Sequence, residues 1–581
     1  DEDDGSFEST HSGGAVRSEA PLTISDSRLV GNGTAGDHAS GGAVFASASV
    51  TLDHVLAAGN GTTGENAPGG GIAVGAVLDP ALAISVTGYS AVDANFTTGS
   101  ESYGGGIFSL GSVVVGESEI TGNRTEGYGA SGGGIYAIRT VTAGDSLVSG
   151  NRTEGYEAPG GGVYAAGIGS EGMDAITLAD SVLFGNSTES AGSPGGGLRS
   201  NEGVRLVDSA VSGNSTIGAF SEGGGASARG DLTVIGTRVR DNTTMGDDSS
   251  GGGLFSGGFL ALVGSTVAGN ETSGTDSPGG GVSTNWAQLV NATLADNLTR
   301  GDGAQGGGLY ASMFGGPLEV IQSTVSANCT YGAGASGAGL AARTGTTTLT
   351  NSIVLGNDLF GLNTPDPEIS TGGTLAFEGA NLVGNDAAAF DASGLAGVAN
   401  APAAEVFAET MATKGTPAGV LRENGGQVAT IALAPGANPA VDAATAPLPA
   451  DSFDLDGDGD TAEPLPVDAR GLPRDVDQPG VGGSPDLGAY ELQEADQSVS
   501  IAAADAGLDE GDAGTTAFTF TVTRSGLTGD PLDLDFAVTG SGAAPADAAD
   551  FGGALPSGTV SFAGGETEET ITVEVSGDTV A

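Results

Sequence analysis

The sequence predicts an all-β fold: a right-handed parallel β-helix of about 13 coils, ~28 residues each, then a capping region and a partial antiparallel β-sandwich. Three observations predict it. Thirteen asparagines form a near-regular ladder: Asn32, Asn60, Asn95, Asn123, Asn151, Asn186, Asn214, Asn242, Asn270, Asn297, Asn328, Asn357 and Asn385. A glycine run keeps the same beat, as at Gly69–Gly71, Gly104–Gly106 and Gly306–Gly308. Between these landmarks the apolar residues alternate in short period-2 patches, and no stretch sustains a 3.6-residue period with caps.

In the coil from Gly104 to Asn123, the apolar positions are Ile107, Val113, Val115 and Ile120. They align with Leu198, Val204, Leu206 and Val211, and again with Leu254, Leu260, Leu262 and Val267. Three brief strands per turn follow, each pairing with its copy in the next coil at ~4.8 Å spacing, so twelve intervals make a rod of roughly 60 Å. The right hand is the general preference of parallel crossovers. Glycine suits the sharp corners. Asparagine tolerates left-handed backbone, and its amide can bond identical amides above and below, so Asn123, Asn151, Asn186, Asn214, Asn242 and Asn270 are read as a structural ladder. A serine or threonine five residues earlier, from Ser27 through Ser118, Ser146 and Thr237 to Ser352, predicts a second, hydroxyl ladder.

These glycine- and asparagine-marked repeats resemble polymorphic outer-membrane proteins and other right-handed β-helix surface proteins over residues 1–395. The resemblance implies secretion or cell-surface display in a bacterium or archaeon, often adhesion, and no particular chemistry.

Periodicity fades after Asn385. The blocks LRENGGQVATIALAPGANPAVDAA (Leu421 to Ala444) and PVDARGLPRDVDQPGVGGSPDLGAYE (ending at Glu491) follow. They resemble the choice-of-anchor Q domain over residues 396–493, with Ala469 departing from the usual polar residue. The expected physical role is to close the open end of the rod. Between them, DLDGDGDTAE alternates hard oxygen ligands with glycine, the start of a calcium loop: Asp454, Asp456, Asp458, Asp460 and Glu463 are the candidate ligands. It departs from an EF-hand, whose twelfth position is here Leu465.

Residues 497–581 alternate strictly with β-branched residues, an antiparallel sandwich pattern. They resemble a Calx-beta domain whose final acidic stretch and last strand are absent. That resemblance implies calcium ligands at Glu510, Asp550 and Asp578. The chain opens in an acidic stretch with no signal peptide, so it is expected to be a piece of a longer protein.

Composition narrows the function classes. Glycine is 107 of 581 residues without a strict every-third period, which excludes collagen. Net charge is −55, from 72 acidic and 17 basic residues. Nucleic acid and anionic membrane surfaces are excluded as partners by like charge. Divalent cations, calcium first, fit that charge. No apolar run is long enough to span a bilayer. The single cysteine, Cys329, allows no intrachain disulfide.

Chemistry-bearing patterns are few. The three histidines, His11, His38 and His54, show no metal or triad spacing. The near-duplicate loops RTEGYGAS and RTEGYEAP place Arg124, Glu126 and Tyr128 one coil from Arg152, Glu154 and Tyr156, a candidate glycan or cation surface or simply surface ion pairs. Phe108, Tyr136 and Tyr164, in a row with Phe45, Phe255 and Tyr310, each follow an inward aliphatic residue; they are read as an outward strip for sugar stacking or inter-coil stiffening. Eleven ladder asparagines head N-x-T triplets, which the repeat itself explains. The reading is a non-enzymatic, adhesin-like or structural rod, able to attach to the cell envelope, with calcium-binding C-terminal modules. The alternative is a carbohydrate binder or polysaccharide lyase or hydrolase of the pectin-lyase-like fold.

Overall fold

The structure, a computed structural model, describes residues 12–75, 79–170, 172–312, 316–359, 368–384, 396–412, 416–474, 484–493, 498–504, 508–525, 531–541, 545–577 and 579. The chain divides into two compact units, one of Asp1–Arg474 with Asp486–Glu491, the other of Asp475–Pro485 with Leu492–Ala581.

The first unit is a parallel β-solenoid of about 13 turns. One turn runs Ile107–Ser109, Ser112–Gly116, Glu119–Thr121 and Arg124–Thr125. Each strand pairs in parallel, residue for residue, with its counterpart one turn on: Ile107 with Ile135, Val113 with Val141, Ile120 with Val148, Arg124 with Arg152. The first three strands of each turn join a 35-stranded sheet and the fourth joins a 12-stranded one. Three strands are legible in the sequence; the fourth is two residues long, too short to show a period. Alternation sends Ile107, Val113, Val115 and Ile120 inward, where all are buried against their copies.

The asparagines form one column. Asn123 Nδ2 donates to Asn151 Oδ1 at 2.9 Å, and the Asn123 backbone N–H donates to the same oxygen at 3.0 Å. The second Nδ2 proton goes to the Val92 carbonyl at 2.8 Å. The side-chain link recurs at every step from Asn32 to Asn357. Asn123, Asn151, Asn186, Asn214, Asn242 and Asn270 are each 0% exposed, so a glycan has no access to them. Asn385 lies outside the described residues. Beyond Asn357 the acceptor is the buried Glu368 carboxylate, which takes the Asn357 Nδ2 (2.7 Å) and backbone N–H (2.9 Å) and the Gly356 N–H (2.8 Å).

The hydroxyl ladder is present as well: the N–H of Ser118 donates to Ser146 Oγ, Ser146 to Ser181 and Ser209 to Thr237. Ser27, at the first turn, bonds the carbonyl two residues back as Ser118 and Ser146 do, but its next-turn counterpart is Val55, which has no hydroxyl to continue the column. A third set falls at the threonines that recur with the repeat in the N-x-T triplets. In nine of the eleven N-x-T triplets, from Thr34 to Thr272, the threonine turns inward and donates to the carbonyl five residues on, as Thr125 does to Ala130 and Thr188 to Ser193; the buried Thr299 and Thr330 hydroxyls do not. Glycine is required at the run beside this corner: a Cβ on Gly105 would stand 2.3 Å from the Arg124 carbonyl oxygen, and Gly104 has φ +66°.

The segment after the last turn corrects one expectation. Residues near Ala399 do cover the final turn, where Leu382 bridges to Ala399 and Asn381 Nδ2 bonds Gly397 O. The two motif blocks, however, lie along the flank of the solenoid and not on its end. They dock on one corner column. Asn291, Gln322 and Asn351 sit there with left-handed backbone (φ 57°, 47° and 47°). Asn291 bonds Val467 O and Arg474, Gln322 bonds Arg474, and Asn351 bonds Ala446. Phe453, Leu455 and Leu465 add an apolar contact with Ile235 and Val263.

The second unit holds two antiparallel sheets: Ser498–Ala503, Thr515–Ser525 and Glu568–Ser576 in one, Leu532–Ala537 and Ser557–Phe562 in the other. Val522, Val560, Phe562, Ile571 and Val573 make its core.

Replacing Asn151 with alanine removes one acceptor of two N–H donors and one donor of two bonds in a dry column. A loss of about 3 kcal/mol or more is expected in denaturant unfolding, since buried polar groups left unpaired cost ~1–3 kcal/mol each. Asn32→Ala, at the half-exposed first rung, should cost clearly less; equal losses would contradict the ladder account.

Candidate functional site

The duplicated loops meet at the corner of the fourth strand. Arg124 Nε bonds Glu126 Oε1 at 2.7 Å, and Arg152 pairs with Glu154 at 2.6 Å. The Arg124 guanidinium also lies 4.7 Å from the Phe96 ring centroid. One residue pair outward, the Tyr128 and Tyr156 rings stack at 6.1 Å with 15° between planes, each 51% exposed. The Tyr128 hydroxyl donates to Glu157 Oε2 at 2.5 Å, and that carboxylate holds the phenol above its usual pKa. The structure thus brings together all six residues read as one surface.

The aromatic row behaves differently. Tyr136 stacks on Phe108 (5.5 Å), on Tyr164 (5.0 Å) and on Tyr103 (4.6 Å), a ring the sequence reading left out. Phe108 is 2% and Tyr136 8% exposed, so the outward strip is closed over at its centre. The reason is Tyr103, which packs across both rings from the preceding loop. These two positions serve inter-coil packing. Tyr164, half-buried, accepts a bond from Asn201 Nδ2 at 2.8 Å.

The acidic loop is folded against the flank by Phe453 and Leu455. The residues between and after them face outward, and carboxylate oxygens of Asp454, Asp456 and Asp458 lie within 4.8 Å of one another. A second set at the same spacing comprises Asp451, Asp456 and Glu463. Asp451 precedes the motif and was missed; it is buried and accepts the Leu455 N–H at 2.7 Å. Asp460 belongs to neither set, and its carboxylate accepts the Ala462 N–H. Glu463 Oε1 is enclosed and makes no hydrogen bond. Burial pushes the Asp451 carboxyl up, and desolvation with the charges of Asp458 and Asp456 raises Glu463.

In the second unit, Asp550 Oδ2 accepts the Asp547 N–H and its carbonyl takes the Ser576 N–H. The Glu510 carbonyl takes the hydroxyl of Thr516, whose neighbour Thr515 pairs with Ser576. Glu510 and Asp550 therefore attach to the same end of that sheet. Asp578 lies outside the described residues.

The motif blocks converge on a buried charge cluster of Asp468, Arg470, Arg474, Asp486 and Glu491, all below 8% exposure. Arg470 grips Asp468 and lies 3.7 Å from the Tyr490 ring centroid. Arg474 faces Glu491 at 3.5 Å. Ala469, the departing position, is buried with Val428 and Ala489. An open groove of about 790 Å³ also runs along the solenoid, lined by Tyr89, Glu117, Glu119, Asp145 and Asp180. Its described lining holds no basic side chain.

No family model matches the chain, and neither a curated protein nor a solved structure matches it.

Burial pushes the Glu491 carboxyl up to about 9 against the pull of Arg474. A carboxyl raised on folding stabilises fully below its ordinary value of 4.5 and loses that contribution as pH rises through about 9. The melting midpoint should therefore fall between pH 5 and 9.5, and Glu491→Gln should flatten that slope. An unchanged slope in the variant would assign the effect elsewhere.

Proposed function

We propose that this chain is a display rod: a secreted or cell-surface, adhesin-like structural protein whose C-terminal segments bind calcium. The observation that carries the reading is where the polar chemistry lies. The repeat's own polar side chains are consumed by internal ladders, leaving ligand contact to corner loops on a stiff, uniform scaffold. Nothing in the described chain forms a helix long and apolar enough to cross a membrane.

Calcium would be held by Asp454, Asp456, Asp458, Asp451 and Glu463, hard oxygen donors suited to that ion. The enclosed, unbonded Glu463 Oε1 and the crowded carboxylates support the fit, because a divalent cation relieves both. Bound there, it would add charge neutralisation and stiffness at the flank. Glu510 and Asp550 are the corresponding candidates in the second unit.

The groove lined by Glu117, Glu119, Asp145 and Asp180 favours the second reading, a polysaccharide-acting enzyme. Carboxylates without a basic partner give little to stabilise the anion a lyase develops, and no one acid–carboxylate pair of the kind a hydrolase needs stands out among these four, which is why the rod reading is preferred.

Millimolar calcium should raise the melting midpoint relative to chelator, and Asp456→Asn together with Glu463→Gln should abolish most of the rise. Identical midpoints with and without the ion would remove the metal proposal. A polysaccharide panel assayed for reducing or unsaturated ends should stay silent with and without calcium; sustained turnover would overturn the rod reading in favour of an enzyme.

A further inference from the structure

We propose that the corner carrying Tyr128 and Tyr156 is a binding site for a neutral glycan chain, with the two rings as its stacking platform. The inference rests on the display reading only in that the corner faces solvent. Backbone bonds fix the column there: Glu101 N–H to Tyr128 O, Gly129 N–H to Tyr156 O, Glu157 N–H to Ala191 O. Ser100 thus precedes Tyr128 in the column and Ala191 follows Tyr156. Both flanking side chains are small. The stack is therefore bounded by short neighbours, and each ring keeps its outer face and edge open, in agreement with 51% exposure.

An occupant of this exposed aromatic pair has to suit a chain of net charge −55. An anionic polymer is repelled by that charge. A basic one would have to compete for carboxylates already engaged: the Tyr128 hydroxyl holds Glu157, Arg124 holds Glu126 and Arg152 holds Glu154. These two pairs present planar, locally neutral donors and acceptors beside the rings. That combination, an apolar aromatic face edged by arginine–carboxylate pairs with hydrogen-bonding atoms to spare, matches a pyranose, whose C–H face is apolar and whose rim carries hydroxyls. The two carboxylate–arginine pairs repeat at the coil spacing, so the site meets a polymer through successive units and not one free sugar. The Glu157 bond to the Tyr128 hydroxyl ties adjacent coils and holds the first ring in place.

The arrangement is local. The positions following Tyr156 in this column are Ala191, Ala219 and Asp247, so the platform spans two coils and no more.

The test is affinity electrophoresis of the full chain through gels containing neutral soluble polysaccharides, namely β-glucans, xylan, galactomannan and α-glucan, with polygalacturonate as the anionic control. At least one neutral polymer should retard the wild type while the anionic control does not. Tyr128→Ala with Tyr156→Ala should weaken that retardation about tenfold or more without moving the melting midpoint. Tyr128→Phe should keep most of it, because stacking survives. Absence of retardation by every neutral polymer, or equal retardation of the double alanine variant, overturns the site. Equal retardation with no turnover would leave the rod reading standing, so the two fail separately.

Discussion

Everything in the solenoid depends on one buried chain of amide hydrogen bonds. An asparagine side chain taken out of water is costly unless all its polar atoms are paired. Here each one is paired by its own copy. The Asn123 carbonyl oxygen accepts two N–H groups from Asn95, and its amide donates once forward and once back. No single turn can satisfy its asparagine alone, so the residue enforces register. Slipping one strand by a residue would strand several buried amide atoms at once. The glycine beside each rung, the inward threonine and the serine column are then fixed in turn, because all are measured from the same rung.

A second column, at the corner one strand before the asparagine rung, shows how the flank is organised. Its residues share left-handed backbone but differ in type. After Asp26, His54 and Tyr89 come Glu117, Asp145, Asp180 and Asp208, then Gly236 and Gly264, then Asn291, Gln322 and Asn351. Tyr89, Glu117, Asp145 and Asp180 stand where the column meets the open groove. Gly264 stands where Leu455 packs within 3.6 Å of a would-be Cβ. Amides stand where the motif blocks supply backbone partners and Arg474. The backbone demand is constant, and the identity of the side chain follows what covers it.

This explains what was legible and what was not. The turn count, the inward Ile107-type positions and the Asn and Ser columns were readable because each rests on spacing alone. The corner surface at Tyr128 and Tyr156 was readable because a duplicated loop brings equal positions together. Tyr103 was not, since it reaches the Phe108–Tyr136 stack from outside the aligned row. Asp451 was not, because it lies before the alternating motif and is placed by the fold of Phe453 and Leu455. The flank docking was hidden by sequence distance: Asn291 and Arg474 are 183 residues apart. The amide series Asn291, Gln322 and Asn351, breaking an acidic and glycine column, was the one signal that could have disclosed it.

The rungs also share a direction. Every amide points its N–H toward the later turn and its oxygen toward the earlier one. Aligned amide dipoles sum, as peptide dipoles do along a helix, and leave a partial positive pole at the last rung. Glu368 puts an anion at that pole, so the solenoid closes its side-chain column as an acid caps a helix amino end. Polarity along the axis makes the two ends of the rod electrically distinct, whatever lies on its surface.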